Sequence, residues 1–224
     1  MRLISVPLAR AFAYLQLDEM TLGTGIYLPA LMASLVKKCQ FLKSPSSSKE
    51  FNLPDGVAFE TGVFDGITIK KLAVFPLVIH LDADDSTDRA QTALLGLLQW
   101  AKEECGLRYS PGMITRWAYV SDVVFQTDFP LLKKVNKSLN SISSKISEIV
   151  RGNLKEELNY EPAKFWLAHD PNDRSTSIAP FTIEHRLLSL FEENIFYSEA
   201  PVPTKDHLSL LSELETAVRN EDEG

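Results

Sequence analysis

The sequence predicts an α+β fold, a mostly antiparallel sheet covered by helices. Short runs rich in β-branched and aromatic residues predict strands, and two of these runs are joined by Asp65-Gly66, a strong hairpin signal. Apolar residues recurring at intervals of three and four predict several helices, including one long helix near 130–158. With 224 residues, 45% of them hydrophobic, the chain can bury a sizeable core.

The first half of the chain is predicted to form a hairpin, a third strand and a helix. The hairpin strands are expected at about 57–64 and 67–74, followed by a strand that continues to Asp82. The periodicity then changes, which predicts a helix over about 86–105 that ends at Gly106. The N-terminal residues are expected to be a short extended or helical start.

The second half is predicted to contain a strand at RWAYVSDVVFQTD, the long helix, a second hairpin and a final helix that begins near Thr204. The hairpin strands are AKFWLAH and IAPFTIEHR, joined by the turn-rich DPNDRSTS. Pro180 predicts that the second of them lies at a sheet edge, because proline cannot donate to a strand ladder.

Composition suggests where the chain divides. Residues 43–50, KSPSSSKE, offer nothing to bury and are expected to form a flexible serine-rich loop. Before it, residues 1–42 are predicted to be an N-terminal segment packing on the main domain, with Leu28, Leu31 and Leu35 on one helical face. After it, residues 51–224 are predicted to be the main α+β domain, ending in an acidic helix.

Charge and cysteine content limit the partners and the compartment. The net charge is -7, and residues 184–224 hold ten acidic and three basic residues, so the rest of the chain carries twenty of each. This distribution argues against duplex DNA and anionic membrane as partners, because both require a clustered positive field. Two cysteines without CxxC spacing predict free thiols and a cytoplasmic location, and no window approaches the roughly 20 apolar residues that span a bilayer.

The acidic segment 80–89, HLDADDSTDR, is a candidate metal site. A strand over 77–82 would place His80 and Asp82 on one face, and Asp84 and Asp85 follow in the next loop. One imidazole nitrogen and several carboxylate oxygens suit a divalent cation. A metal-dependent hydrolase or transferase is therefore the alternative functional hypothesis.

The same segment resembles motifs of two enzyme families. Residues 81–85, LDADD, resemble the acidic motif of nucleotide-sugar glycosyltransferases and the DxD opening of haloacid-dehalogenase phosphatases. Neither resemblance extends further, because no nucleotide-binding α/β half precedes the motif and Ser86 stands where the phosphatases carry threonine or valine. We therefore assign no family from the sequence.

Helix capping explains the acidic segment without a metal. Asp85 or Ser86 would cap the following helix, and Asp88 in its first turn would stabilise it by about 0.3–1 kcal/mol. This interpretation, a solvated helix entrance with no metal or cofactor, is the preferred one. The four histidines show no HxxxH spacing and the chain has no GxSxG elbow or P-loop, so we predict no catalytic residues.

The long predicted helix carries the leading functional hypothesis. Its apolar residues are spaced 3, 4, 3, 4, 3, a two-in-seven pattern typical of helix pairing: Leu132, Val135, Leu139, Ile142, Ile146 and Ile149. Serine and asparagine between them are weak helix formers, so the helix must be stabilised by packing, either on the chain's own sheet or on a partner. We expect a non-enzymatic assembly or adaptor protein that forms a homo-oligomer or binds another protein through this seam.

Overall fold

The computed structural model describes residues 1–21, 28–45, 50, 53–155, 158–170, 172 and 178–220. The chain forms two compact units. Unit 1 comprises Met1–Ser5, Asp122–Pro201 and Lys205–Gly224, and unit 2 comprises Val6–Ser121 and Val202–Thr204. The boundary predicted at 43–50 falls within the range of unit 2, and residues 46–49 of that predicted loop lie outside the described residues.

Eight strands and six α-helices are found in the part of the chain that the structure describes, which confirms the predicted α+β class. The strands are β1 (Arg2–Tyr14), β2 (Val57–Phe64), β3 (Ile67–Val74), β4 (Val78–Ala83), β5 (Arg116–Gln126), β6 (Lys164–Leu167), β7 (Phe181–His185) and β8 (Ile195–Ala200). The helices are α1 (Leu17–Thr21), α2 (Leu28–Cys39), α3 (Thr87–Cys105), α4 (Leu131–Val135), α5 (Asn140–Leu154) and α6 (Thr204–Asn220). Strands β1 and β5 contribute residues to both units.

In unit 2 the strands follow the order β2-β3-β4-β1-β5. The β2–β3 hairpin is confirmed, with Phe64 opposite Ile67. Asp65 and Gly66 between them have φ values of 46° and 75°, as a type I′ turn requires at both central positions. Lys43, the first residue of the predicted serine-rich loop, also pairs with this sheet, because it forms an isolated antiparallel bridge with Glu60 of β2.

Helices α2 and α3 share one apolar cluster with the strands of unit 2. Phe59, Ile69 and Leu81 from the sheet are fully buried, and they belong to the same cluster as Leu94 and Leu97 of α3. Alternation along β1 places alanines 9, 11 and 13 at 0% exposure. The apolar residues that alternate along the strands and those that recur every 3.6 positions in the helices therefore pack into one core.

Both ends of α3 are as the sequence predicts. Ser86 is the N-cap, and its Oγ accepts a hydrogen bond from the backbone N–H of Arg89 at 3.3 Å. Gly106 ends the helix in the left-handed conformation with φ 73°. Thr87 in the first turn also pairs with Thr204 of the same unit, because each donates a backbone N–H to the other's Oγ1, at 3.1 and 2.7 Å.

In unit 1 the strand order β5-β8-β7-β6 makes β7 an interior strand. The prediction of an edge position from Pro180 is therefore wrong: the edge strand is β6, and Pro180 precedes β7 without interrupting its ladder. The predicted pairing of β6 with β7 is confirmed, with Lys164 opposite Glu184, and residues 171 and 173–177 of the predicted turn lie outside the described residues. Phe125 and Phe196 pack with ring centroids 5.5 Å apart in the core of this unit.

Three elements differ from the sequence prediction. The chain start is a 13-residue strand, β1, and β8 was not predicted. The helical segment expected near 130–158 is present over 131–154, but it consists of α4, a 3-10 turn at Lys137–Leu139 and α5. The interruption lies at Asn136, whose φ and ψ are -106° and 39°, outside the helical range.

We predict that Leu81→Ala lowers the free energy of unfolding by about 2–5 kcal/mol, because Leu81 is fully buried and its truncation leaves a cavity. Leu77→Ala is the matched control, since Leu77 is 65% exposed just before the same strand, and should change stability by less than about 0.5 kcal/mol. Urea unfolding followed by circular dichroism measures both. Equal losses in the two variants would contradict the assigned orientation of β4.

Candidate functional site

Helix α5 leaves most of its apolar residues exposed to solvent, and only Val150 among them is half-buried. We define the α5 stripe as Leu139, the last residue of the preceding 3-10 turn, with Ile142, Ile146 and Ile149 of the helix, which are 44%, 52%, 38% and 62% exposed. Their 3, 4, 3 spacing places them along one side of the helix. A contiguous exposed row of this kind is a feature of interaction surfaces, whereas single exposed apolar residues are ordinary.

The side of α5 that faces the chain is polar. Ser147 is the only residue of the helix that is buried, and its Oγ accepts a hydrogen bond from the backbone N–H of Tyr160 at 2.8 Å. The same hydroxyl donates to the carbonyl of Ser143 at 2.9 Å. The one buried position of α5 is thus a serine, whereas the isoleucines of the stripe stay partly exposed and Val150 is half-buried.

A polar groove of about 540 Å³ lies along this inner side. Its walls come from α4, α5 and the segment 159–162, and they include Lys133, Glu148, Arg151, Tyr160 and Glu161. Lys133 Nζ lies 3.4 Å from Glu161 Oε1, so these two walls of the groove are joined by an ion pair. Since Ser147 is its only buried residue, α5 obtains little of its stability from apolar burial within the protein.

The structure divides the six seam residues predicted from the sequence. Leu132 is 3% exposed and Val135 is half-buried, and both belong to α4. The Asn136 side chain donates to the carbonyl of Leu132 at 2.9 Å, where the helix is interrupted. Leu132 and Val135 therefore face inward, and the other four residues of the predicted seam form the exposed α5 stripe.

Of the four metal-ligand candidates, the structure brings together His80 and Asp82. His80 Nδ1 lies 3.4 Å from Asp82 Oδ1, and both side chains are buried. Asp84 is exposed, while Asp85 forms an ion pair with Arg89 at 2.6 Å. Within the described ranges, no group of three or more histidine, cysteine, aspartate or glutamate side chains is placed to hold a metal ion.

Asp82 binds an arginine and is not part of a solvated helix entrance. It is 4% exposed and lies directly opposite Arg10 in the β1–β4 ladder. Arg10 donates from Nε to Oδ1 at 2.6 Å and from Nη2 to Oδ2 at 2.7 Å, a bidentate geometry. The sequence interpretation of Asp82 as a solvated residue is therefore wrong.

The ion pair changes the acidity of Asp82. Burial acts to raise the pKa of this carboxyl group, but the hydrogen bonds from Arg10, with the charge of Arg10 and the nearby His80 ring, outweigh it. The pKa of Asp82 consequently lies below its ordinary value. The His80 ring packs against Phe12 at 5.3 Å between centroids, which fixes it beside the pair.

A polar cluster of unit 1 escaped the sequence analysis because it includes β8. Burial raises the pKa of the Tyr197 phenol above its usual range, and its hydrogen bond to Asp122 acts in the same direction. The pKa of Glu199 is raised by burial and by the charge of Asp122. Glu184 of β7 lies opposite Tyr197 in the sheet and adds a further negative charge. The alternating polar residues of β7 and β8 could have indicated this cluster, had β8 been recognised.

None of the described helices combines the length and the apolar composition needed to cross a bilayer. The four helical turns of α5, although apolar on one side, carry serine, lysine, glutamate and arginine on the others.

We predict that Asp82→Asn lowers the free energy of unfolding at pH 7 by about 1.5–3 kcal/mol, since Arg10 loses its charged acceptor. Because the folded-state pKa of Asp82 is depressed, its contribution is fully present above about pH 4 and is lost as the pH falls through the folded-state pKa. The difference between the two proteins should therefore shrink in acid. Asp84→Asn, at an exposed position, is the control, and chemical unfolding from pH 3 to 7 is the measurement. A difference independent of pH would contradict the ionised pair.

No protein-family model matches the chain, and no curated protein is significantly similar to it.

Proposed function

We propose that this protein is a non-enzymatic cytoplasmic assembly or adaptor protein that acts through protein-protein contacts. The observation that supports the proposal is the exposed α5 stripe on a helix whose inner side is polar. A sequence that only stabilised its own fold would place the isoleucines inside and the serines outside. A partly exposed row of isoleucines is expected if a second surface covers the stripe in the assembled state.

The energetics favour a covered stripe. Full burial of one isoleucine or leucine side chain stabilises by about 1.5–3 kcal/mol relative to exposure, and the α5 stripe offers four that are partly exposed. Serine and asparagine in the same helix have low helix propensity, so the helix itself gains from a partner. Binding would supply the packing that the isolated chain does not give α5.

A second copy of the chain is the partner that the pattern fits. The spacing 3, 4, 3 is the same when read from either end, so two α5 helices can pair antiparallel about a two-fold axis that crosses the stripe midway between Ile142 and Ile146. This pairing places Leu139 opposite Ile149 and Ile142 opposite Ile146. In this seam each helix supplies the same four apolar residues, so a second copy of the chain can act as the partner.

The thiols support a reducing compartment. Cys39 is buried and Cys105 partly buried, and both are free. Burial raises the pKa of Cys39 to about 12, so this residue remains a protonated thiol near neutral pH. Reduced, unreactive cysteines are typical of cytoplasmic proteins.

The proposal predicts that Ile146→Glu converts an oligomeric parent into a folded monomer. Ile146 lies in the middle of the α5 stripe and is 38% exposed, so a charge there would oppose pairing without entering the core. Ser144→Glu, on the opposite side of α5 from the stripe, is the matched control and should leave the oligomeric state unchanged. Light scattering gives the mass, and circular dichroism gives the helical content.

Two results would contradict this proposal. If Ile146→Glu unfolds the chain, the residue belongs to the protein's own core. If the parent is monomeric at high concentration, self-association fails, and an adaptor that binds a different protein through the same stripe remains to be tested with the same two variants.

The antiparallel pairing also predicts an effect of Lys145. This residue borders the α5 stripe, three residues after Ile142 and four before Ile149, and the two-fold axis brings it near Lys145 of the second copy. Removing this like-charge contact with Lys145→Gln should strengthen dimerisation by about twofold, corresponding to roughly 0.2–0.5 kcal/mol. Sedimentation equilibrium at low salt measures the change. Unchanged or weaker dimerisation would exclude this orientation of the two helices.

A further inference from the structure

The polar groove beside α5 has the size of a small-molecule site. Its volume of about 540 Å³ lies within the roughly 300–1,000 Å³ of typical ligand pockets. One wall is the serine-rich side of α5, which includes Ser143 and Ser147, and another is the segment 159–162. Hydroxyl, amide and charged groups line this space, so the groove suits a polar ligand.

One hydrogen-bond acceptor of the groove lacks a donor. Asn140 lines the groove, and its Oδ1 atom is buried without a hydrogen-bond partner among the described residues. Its Nδ2 atom donates to the carbonyl of Lys133 at 3.4 Å, which holds the amide against α4. A buried acceptor without a donor is destabilising, because its bonds to water are lost and not replaced. A ligand that brings a hydroxyl or N–H group into the groove would supply the missing donor.

The charges of the groove cancel. Its lining includes two positive residues, Lys133 and Arg151, and two negative ones, Glu148 and Glu161. Lys133 is paired with Glu161 at 3.4 Å, and Glu148 lies three residues before Arg151, on the same side of α5. A ligand with a net charge would meet residues of its own sign, whereas a neutral ligand meets planar groups that accept through the carboxylate and donate through the guanidinium. The balance therefore favours a neutral ligand with several hydrogen-bonding groups.

Tyr160 adds an aromatic surface to the groove lining. Its backbone N–H donates to Ser147 Oγ at 2.8 Å, which fixes this segment to α5, and Tyr160 is 47% exposed. The face of an aromatic ring is electron-rich and attracts C–H groups. A sugar ring has C–H groups on one face and hydroxyl groups around its edge, so it can stack on Tyr160 while its hydroxyls bind the polar side chains. This combination distinguishes a sugar from a small alcohol or amide.

We infer that the polar groove binds a neutral mono- or disaccharide. Asn140 Oδ1 and the Glu148 carboxylate accept hydrogen bonds from sugar hydroxyls, and the Arg151 guanidinium donates to hydroxyl oxygens. Tyr160 packs against one face of the sugar ring. The inference does not rest on the α5 stripe, because the residues of the groove and those of the stripe are different.

The test is a titration of the isotopically labelled full chain with a fixed panel of neutral sugars, followed by the chemical shifts of the backbone amides. The panel contains glucose, galactose, mannose, xylose and N-acetylglucosamine, with the disaccharides maltose, cellobiose, lactose and chitobiose. We expect at least one sugar to shift the amide signals of Asn140, Arg151 and Tyr160 in a saturable manner. Inorganic phosphate, glycine and adenosine are titrated in the same way, as an anion, a zwitterion and a nucleoside.

Two variants test the contacts. Asn140→Ala removes the acceptor, so the dissociation constant of the best sugar should rise about tenfold, which corresponds to about 1.4 kcal/mol. The melting temperature of this variant should stay the same or rise, because no buried acceptor is left without a donor. Tyr160→Ala should also weaken binding, since the stacking surface is lost. Asn153→Ala is the matched control: Asn153 is exposed on α5 outside the groove lining, so this variant should bind sugar normally.

Four outcomes would overturn the inference. If no sugar of the panel binds, the groove is not a sugar site. If phosphate, glycine or adenosine shifts the same amides at a lower concentration than every sugar, the ligand belongs to another class. Unchanged sugar affinity of Asn140→Ala or Tyr160→Ala shows that the sugar does not make the inferred contacts. A lower melting temperature of Asn140→Ala shows that the amide stabilises the chain itself. These readings are taken on groove variants and do not depend on what Ile146→Glu does to the oligomeric state.

Discussion

The pairing of β1 with β4 in one register is the constraint on which unit 2 depends. Arg10 and Asp82 are directly opposed in this ladder, and their bidentate ion pair forms only in that alignment. A slip by one residue would invert every side chain of β1 and carry Arg10 into the apolar cluster that contains Ala11 and Ala13. The ion pair thus contributes specificity for the register in addition to stability, and the buried His80 ring beside it depends on the same alignment.

Elements defined by neighbouring residues could be predicted from the sequence. The Asp65-Gly66 hairpin and helix α3 with its caps follow from local backbone preferences, and all appear at the expected positions. Strand β1 could not be predicted, because Pro7 and Arg10 interrupt its apolar pattern and its partners lie far along the chain. Strand β8 is only six residues long, and Ser198 and Glu199 weaken its apolar signal.

The candidate sites were predictable in their pattern but not in their orientation. The two-in-seven spacing identifies the residues that form the exposed stripe of α5, yet the sequence could not show that Asn136 interrupts the helix or that Leu132 faces inward. Both depend on packing. Similarly, strand alternation placed His80 and Asp82 on one face, as the structure does. Carboxylates that bind a metal and carboxylates that bind arginine look alike in sequence, and the decisive residue, Arg10, lies 72 positions earlier.

That separation has a consequence for synthesis on the ribosome. The strand containing Arg10 is translated 72 residues before Asp82, which corresponds to about 4 to 14 seconds at ordinary elongation rates. Strand β5, its other neighbour, follows later still. Throughout this interval the nascent β1 has two unpaired edges and carries a row of apolar residues. It is therefore open during this interval to chaperones and to mispairing with other nascent strands.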